Sequence, residues 1–265
     1  MSALASILAG TDFSAPSRHA ADRAARLAHE TGATLTLMHT LPGTALSELR
    51  QWLGAQPAAE QQLVERAREQ LHQLAGELAT GRRASVQPLL ASGSPIDEIV
   101  RQADAQDADL LVLGARGTGF LRRLLLGTTS ERLLGRTTRP LLVVRQSPHE
   151  PYRRVLVALD FSPWSAQAVG LARRVAPHAQ LVLLSAFQVP FGEKLQFAGV
   201  DAATIELYRS QARTGATQRL HALAQAAGLK PMQYDACIVE GDASQRIVEQ
   251  EQELDCDLVV LGKHG

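Results

Sequence analysis

The chain has 265 residues, a length typical of two average domains rather than one. Acidic and basic residues number 27 each, so a net charge of zero gives no electrostatic signature of nucleic-acid or anionic-membrane binding. The start, MSALASILAG, lacks the basic region of a signal peptide, and no apolar run approaches the roughly 20 residues of a membrane helix.

Strands and helices are predicted to alternate along the first half. An apolar run at 4–9 predicts the first strand, and Ser14 with Pro16 predicts the start of a helix capped by the serine. The other predicted strands are apolar runs at residues 35–38, 86–90, 110–113 and 141–144. The other predicted helices are an amphipathic stretch at 58–79 and one that begins with a cap at Ser94. This alternation predicts a doubly wound α/β domain with a parallel sheet.

The second half repeats the first. Asp12-Phe13-Ser14 recurs 148 residues later as Asp160-Phe161-Ser162. The same offset relates Gly93 to Gly241, Asp107 to Asp255, Asp109 to Asp257, Gly114 to Gly262 and Gly117 to Gly265. We therefore predict two tandem domains, at residues 1–147 and 152–265, joined by a short polar linker with two prolines. The second ends inside the loop motif described next, so we expect it to lack the last helix and strand and to leave its fourth strand as an edge.

The clearest functional motif follows the fourth predicted strand. It consists of Gly114, two residues, Gly117, nine residues, and then Gly127, Thr128, Thr129 and Ser130. Glycines after a strand can adopt positive φ and let main-chain N–H groups approach a ligand, and the N-terminus of a helix attracts phosphate. From the spacing alone, a tight turn followed by a capped helix is supported equally well.

These residues resemble the universal stress protein family in its nucleotide-binding form. The resemblance rests on the Gly-x₂-Gly-x₉-Gly-Thr pattern, the aspartate Asp12, the run 108–112 and Gly93-Ser94-Pro95. It covers residues 4–145 and, in the second half, 155–265. It implies two domains of the adenine nucleotide alpha hydrolase-like type with strand order 3-2-1-4-5, in which Asp12 and Gly114 flank the point where the winding reverses.

The resemblance also implies an ATP site in the first repeat, with Mg²⁺ accompanying the nucleotide. The residues expected at the phosphates are Gly114, Gly117, Gly127, Thr128 and Thr129, with Ser130 close by. Arg116 either pairs with a phosphate or is a solvated loop arginine. Asp12 is expected near the adenosine and the main chain around Thr40 at the adenine edge. His39 either lines this pocket or is a structural histidine.

Three functions are compatible with this pattern. The first is an ATP-binding stress-response regulator that acts through a partner or a conformational change. The second is an interaction scaffold of the same fold without nucleotide. The third is a slow ATPase or adenylyl-transfer enzyme, and it is the least supported because Gly-x-Ser-x-Gly, His-Glu-x-x-His and Walker A patterns are absent and no catalytic residue can be named.

The expected setting follows from the same features. The second repeat keeps Asp160 and Gly262 but has no Gly-Ser/Thr element, so a full ATP site is not expected there. The two cysteines, Cys237 and Cys256, form no paired motif, which suggests a reducing cytoplasm and no metal site. The resemblance implies an intramolecular pseudo-dimer of the repeats, with a homodimer and a regulatory protein partner as further options.

Overall fold

A computed structural model describes residues 3–43, 57–115, 128–188 and 201–263. The chain divides into two compact units between Glu150 and Pro151. Each has its own parallel sheet, and we call them repeat one and repeat two. No helix within the described ranges is long and apolar enough to cross a membrane.

Repeat one is a five-stranded sheet with helices on both faces. Its strands are β1 (Ser6–Gly10), β2 (Thr34–Pro42), β3 (Ser85–Gly93), β4 (Leu110–Gly114) and β5 (Leu141–Val144). Its helices are α1 (Ala15–Thr31), α2 (Pro57–Arg82), α3 (Pro95–Ala105) and α4 (Thr128–Leu134). The spatial order β3-β2-β1-β4-β5 confirms the predicted doubly wound fold.

The core of repeat one is built from aliphatic side chains. Leu8, Leu111 and Leu133 are almost completely buried in one cluster that also includes Ile99 of α3. On the other face α1 packs through small side chains, with Ala20, Ala21, Ala24 and Ala25 fully buried. Because alanine lets a helix axis approach the sheet closely, this core needs few aromatic residues.

Repeat two keeps the same plan with fewer strands. Its strands are β6 (Arg154–Ala158), β7 (Gln180–Phe187), β8 (Tyr234–Glu240) and β9 (Leu258–Leu261). Its helices are α5 (Pro163–Val175), α6 (Ala202–Ala226) and α7 (Ala243–Glu253). The order β8-β7-β6-β9 matches the first four positions of repeat one, and the predicted smaller sheet is confirmed for the described residues. Even the register repeats, since Val155 opposes Leu258 as Ile7 opposes Leu110.

The helix caps differ from the sequence prediction. Ser14 and Ser94 do occupy the N-cap positions of α1 and α3, but neither hydroxyl bonds a helix N–H group. Each helix has a proline within its first two residues, and the missing proline N–H leaves one donor fewer to satisfy at the helix start. In repeat two, by contrast, Asp201 and Asp242 cap α6 and α7 through their carboxylates. Hydrogen bonds from the Thr204 hydroxyl and main chain lower the pKa of Asp201.

Candidate functional site

A crevice forms where two neighbouring strands of repeat one lead to opposite faces. Helices α1 and α2 contact each other on one face, and α3 and α4 contact each other on the other. β1 continues into α1, whereas β4 precedes α4, and these two strands are adjacent in the sheet. Such a reversal of winding opens a crevice at the carboxyl ends of the strands. The structure places Asp12 and Gly114 at those two ends.

The loop after β1 is held by buried hydroxyl groups. Thr11 and Ser17 are both buried, and their side-chain oxygens lie 3.1 Å apart. The Phe13 N–H donates to Thr11 Oγ1 at 3.1 Å, and Ser17 Oγ donates to the Ser14 carbonyl at 3.0 Å. Phe13 adopts a φ of 63°, which is costly for an aromatic residue. This network keeps a sharp turn in place at the mouth of the crevice.

Asp12 is exposed at this turn, and its carboxylate is held by the start of α1. Its Oδ1 accepts from the Ser14 N–H at 3.1 Å and from the Ser14 hydroxyl. Thus Ser14 shapes the turn instead of capping the helix. The carboxylate is fixed in orientation while it remains accessible to a ligand.

Gly114 is required by the packing of β4 against α1. A Cβ at this position would lie 2.5 Å from the carbonyl oxygen of Pro16 and 2.8 Å from the main-chain nitrogen of Ser17. Both distances are far below van der Waals contact, and main-chain atoms cannot move aside as a side chain can. Gly114 is not among the glycines with positive φ, so the expected left-handed conformation is wrong here. Close approach is the reason for this glycine.

The main chain of Thr40 faces the crevice. Pairing between β1 and β2 ends where Gly10 opposes Met38, and the Thr11 N–H then donates to the Met38 carbonyl at 2.8 Å. In a strand the main-chain groups of alternate residues point to the same side. The N–H and C=O of Thr40 therefore point to the side where β1 has already turned away. The Thr40 side chain is buried within the protein.

His39 fastens β2 to the loop. Its Nδ1 lies 2.7 Å from the carbonyl oxygen of Thr11, and because a carbonyl only accepts, Nδ1 carries the proton. The ring also packs against Phe13, with 4.4 Å between ring centroids. Of the two interpretations of His39, this geometry favours the structural one.

The remaining predicted site residues are only partly described. Arg116, Gly117 and Gly127 lie outside the described residues. Thr128, Thr129 and Ser130 begin α4, which agrees with the helix start expected for them. Thr129 is exposed, whereas Ser130 is 1% exposed, so a ligand would reach Ser130 through its main chain. Within the part of the chain that is described, no cluster of three or more His, Cys, Asp or Glu side chains could hold a metal ion.

Comparison with known proteins matches both repeats to one family. The model of the universal stress protein family matches residues 5–145 and 151–265. The chain belongs to the universal stress protein family. It is a tandem member, as the repeat predicted.

Individual relatives agree with this assignment. A universal stress protein of Mycolicibacterium smegmatis is 32% identical over 174 residues, which cover 63% of this chain and 58% of the relative. One from Mycobacterium tuberculosis is 26% identical over 188 residues, covering 69% of this chain and 61% of the relative. The matched segments thus span about 60% of the length of these mycobacterial universal stress proteins.

A solved structure shows the same fold. The crystal structure of a universal stress protein from Archaeoglobus fulgidus superposes with a TM-score of 0.71, over 96% of this chain and 85% of that one. At 19% identity this likeness concerns the fold alone. The function has to be argued from the crevice itself.

Proposed function

We propose that repeat one binds one ATP per chain, with Mg²⁺ on its phosphates, and that the protein is a cytoplasmic stress-response regulator controlled by this nucleotide. The proposal is carried by one observation. The turn of Asp12, the close approach at Gly114 and the main chain of Thr40 all lie at the carboxyl edge where β1 and β4 lead to opposite faces. This is the place where doubly wound domains bind nucleotides.

The β2 side of the crevice suits the adenosine. The N–H and C=O of Thr40 offer one donor and one acceptor at the sheet edge, a pair that suits the donor and acceptor of an adenine edge. The Asp12 carboxylate is exposed and its Oδ1 accepts from Ser14, and a carboxylate at this place would accept from a ribose hydroxyl. Because Ser14 fixes the carboxylate, little side-chain entropy is lost when it binds a sugar.

The β4 side suits the phosphates. Gly114 brings the end of β4 against the first turn of α1, and that turn contains no acidic residue. The positive end of the α1 dipole therefore lies beside the start of the glycine-rich segment. Gly117, Gly127 and the start of α4 at Thr128, Thr129 and Ser130 would add main-chain N–H groups, and Arg116 would pair with a phosphate.

The arrangement of the described residues favours binding of the nucleotide over its hydrolysis. His39 donates through Nδ1 to a main-chain carbonyl, and Asp12 accepts from the start of α1. Neither is arranged as a general base beside a nucleophile, and both are better suited to positioning. We infer a regulator whose bound nucleotide changes its shape or its choice of partner.

Calorimetric titration of ATP tests the proposal. In the presence of Mg²⁺ we expect one site per chain in the wild-type protein, and at least tenfold weaker binding in Gly127→Val, because a β-branched side chain would fill the phosphate cradle. Chelation of Mg²⁺ should also weaken binding. Gly76→Val is the matched control, since a Cβ at position 76 in α2 meets nothing within 4 Å.

Each outcome has a distinct meaning. Absence of binding to the wild-type chain would contradict the nucleotide proposal and favour an interaction scaffold. Binding that persists unchanged in Gly127→Val would leave a nucleotide-binding protein but show that the proposed phosphate cradle is wrong. Steady release of ADP during the titration would favour a slow ATPase.

A further inference from the structure

A cavity of about 260 Å³ lies between α7 and the sheet of repeat two. Its walls come from β6, β7 and β8, near the amino ends of these strands, and from α7. Val182, Ala236 and Leu254 supply apolar surface, and Arg154 and Asp235 supply charge. Because Asp235 and Ala236 are exposed, the cavity opens to solvent. It lies at the end of the sheet opposite to the carboxyl edge.

In repeat one the equivalent place is occupied by a bonded pair of side chains. By register Thr36 corresponds to Val182, and the offset of 148 residues relates Gln106 to Leu254. Thr36 Oγ1 donates to Gln106 Oε1 at 2.8 Å. Valine and leucine cannot form such a bond. Repeat two thus has its cavity where repeat one has a hydrogen bond between helix and sheet.

Several polar atoms of the cavity walls are bonded within the protein. Cys237 Sγ donates to Gln250 Oε1 at 3.1 Å, and Gln250 Nε2 donates to the Glu253 carboxylate. Arg154 Nη1 donates to the Leu254 carbonyl at 2.7 Å. These bonds engage the thiol, the amide and part of the guanidinium group. A ligand in the cavity therefore meets mainly apolar side chains, and its body should be apolar as well.

The charge around the cavity favours a cation. Across the described residues the Asp235 carboxylate forms no hydrogen bond or ion pair. Burial raises the pKa of the Cys237 thiol, and the negative charge of Glu253 raises it further. A negative potential that disfavours a thiolate attracts a cation. Of the described residues that line the cavity, Arg154 is the one base, and its Nη1 already bonds a carbonyl.

We propose that this cavity binds a small primary amine whose apolar body is the size of a single ring. The ammonium group bonds the Asp235 carboxylate, a charge-assisted contact. The apolar body packs against Val182, Ala236 and Leu254. An apolar cavity of about 150 Å³ already holds benzene. A cavity of about 260 Å³ therefore leaves room for a ring and the carbon that carries the ammonium group.

Methyl NMR of the full chain, titrated with benzylamine at low ionic strength, tests the proposal. With labelled alanine, valine and leucine methyl groups, we expect saturable shifts at Val182, Ala236 and Leu254. Benzyl alcohol and benzoate have the same ring but no charge or a negative charge, so both should bind at least fivefold more weakly. Added salt should weaken the binding of benzylamine, because it screens the ion pair.

Two variants test the two parts of the site. Asp235→Asn should weaken benzylamine binding about fivefold, because it removes the charge and keeps the size of the side chain. Glu206→Gln is the matched control, since it removes an exposed carboxylate from α6, which does not line the cavity. Cys237→Leu should abolish binding by filling the cavity. By register it copies Leu89 of repeat one, so the fold accepts leucine at this place.

The outcomes separate clearly. Absence of saturable shifts at the cavity methyl groups, or binding of benzoate as tight as that of benzylamine, would overturn the proposal. Unchanged binding by Asp235→Asn would overturn it too. Because Asp235 is exposed, its substitution leaves the core intact, and this result stands even if Cys237→Leu disturbs the packing. None of these results depends on ATP binding by repeat one.

Discussion

In repeat one the residues that follow the first strand are Thr11 and Asp12, whereas repeat two has Leu159 and Asp160 at the equivalent positions. In both, the aspartate accepts from the N–H two residues later, and the phenylalanine between them has a φ near 60°. The aspartate therefore stabilises the turn in both repeats. Its presence alone does not indicate a nucleotide site.

The surroundings of this turn are what differ. By register, His39 of repeat one corresponds to Ser185 of repeat two. Phe13 packs on His39, whereas Phe161 is covered by the guanidinium of Arg219. The carboxyl edges of the two sheets thus differ in chemistry. The edge in repeat one is followed by a glycine-rich segment, whereas the edge in repeat two carries arginines from α6. Substitutions at equivalent positions can test how far this difference extends.

The largest effect is expected at the paired glycines Gly114 and Gly262. Gly114→Ala would force a Cβ to 2.5 Å from a main-chain oxygen of α1 and should destabilise repeat one by about 1–3 kcal/mol. Gly262→Ala would meet the Trp164 Cβ at 3.1 Å, a milder contact that should cost less than about 1 kcal/mol. Urea unfolding, with hydrogen exchange of the peptides that contain each glycine, measures both.

Equal costs at the two positions would contradict the claim that β4 and α1 of repeat one approach unusually closely. Gly76→Ala is the control, because its position in α2 is open and alanine favours a helix.

A smaller effect is expected at the helix caps Ser94 and Asp242, which are also equivalent. Asp242 accepts from the Gln245 N–H at 3.0 Å, so Asp242→Ala should destabilise repeat two by about 1 kcal/mol. Ser94→Ala should change stability little, because its hydroxyl makes no capping bond. The urea midpoints of the two variants, each compared with that of the wild-type chain, test this difference. A larger loss for Ser94→Ala would mean that its hydroxyl caps α3 in solution.

At neutral pH the smallest effect is expected at the equivalent buried positions Ala108 and Cys256. Burial raises the pKa of Cys256 from 9.0 to about 11, because the thiolate is disfavoured there. The unfolded thiol ionises first as pH rises, so stability that is fully present below pH 9 is lost as pH rises towards 11. Cys256→Ala, which copies repeat one, should remove this part of the alkaline loss. Urea midpoints at pH 7.5 and 10.5 test it, and an identical pH dependence of both proteins would contradict it.

The fold was predictable because its signals are local. Apolar runs such as 110–113 mark strands that are buried on both faces, and an offset of 148 residues exposes the duplication. Strand boundaries were less accurate, since β2 extends to Pro42 beyond the apolar run at 35–38. Its last residues pair with β3 instead of β1, and pairing of this kind has no local sequence signal.

The site was predictable in outline and not in its contacts. Glycine spacing identified the segment after β4, but the reason for Gly114 lies in the approach of Pro16, almost a hundred residues earlier. The serines before α1 and α3 looked like caps, but neither hydroxyl makes a capping bond to a helix N–H group. The cavity of repeat two gave no sequence signal, because β6, β7, β8 and α7 each contribute to its walls.

The sequence by itself determined the duplication and the α/β class, since these follow from periodicity and short motifs, and the resemblance to the family implied the strand order. Only the tertiary structure decided which groups meet at each carboxyl edge. Thr40 faces a crevice because β1 stops pairing at Gly10. Arg219 covers Phe161 because α6 packs against α5, which begins two residues after Phe161. The physical reason is that such contacts join residues far apart in the chain, and their distances are set by packing rather than by local preference.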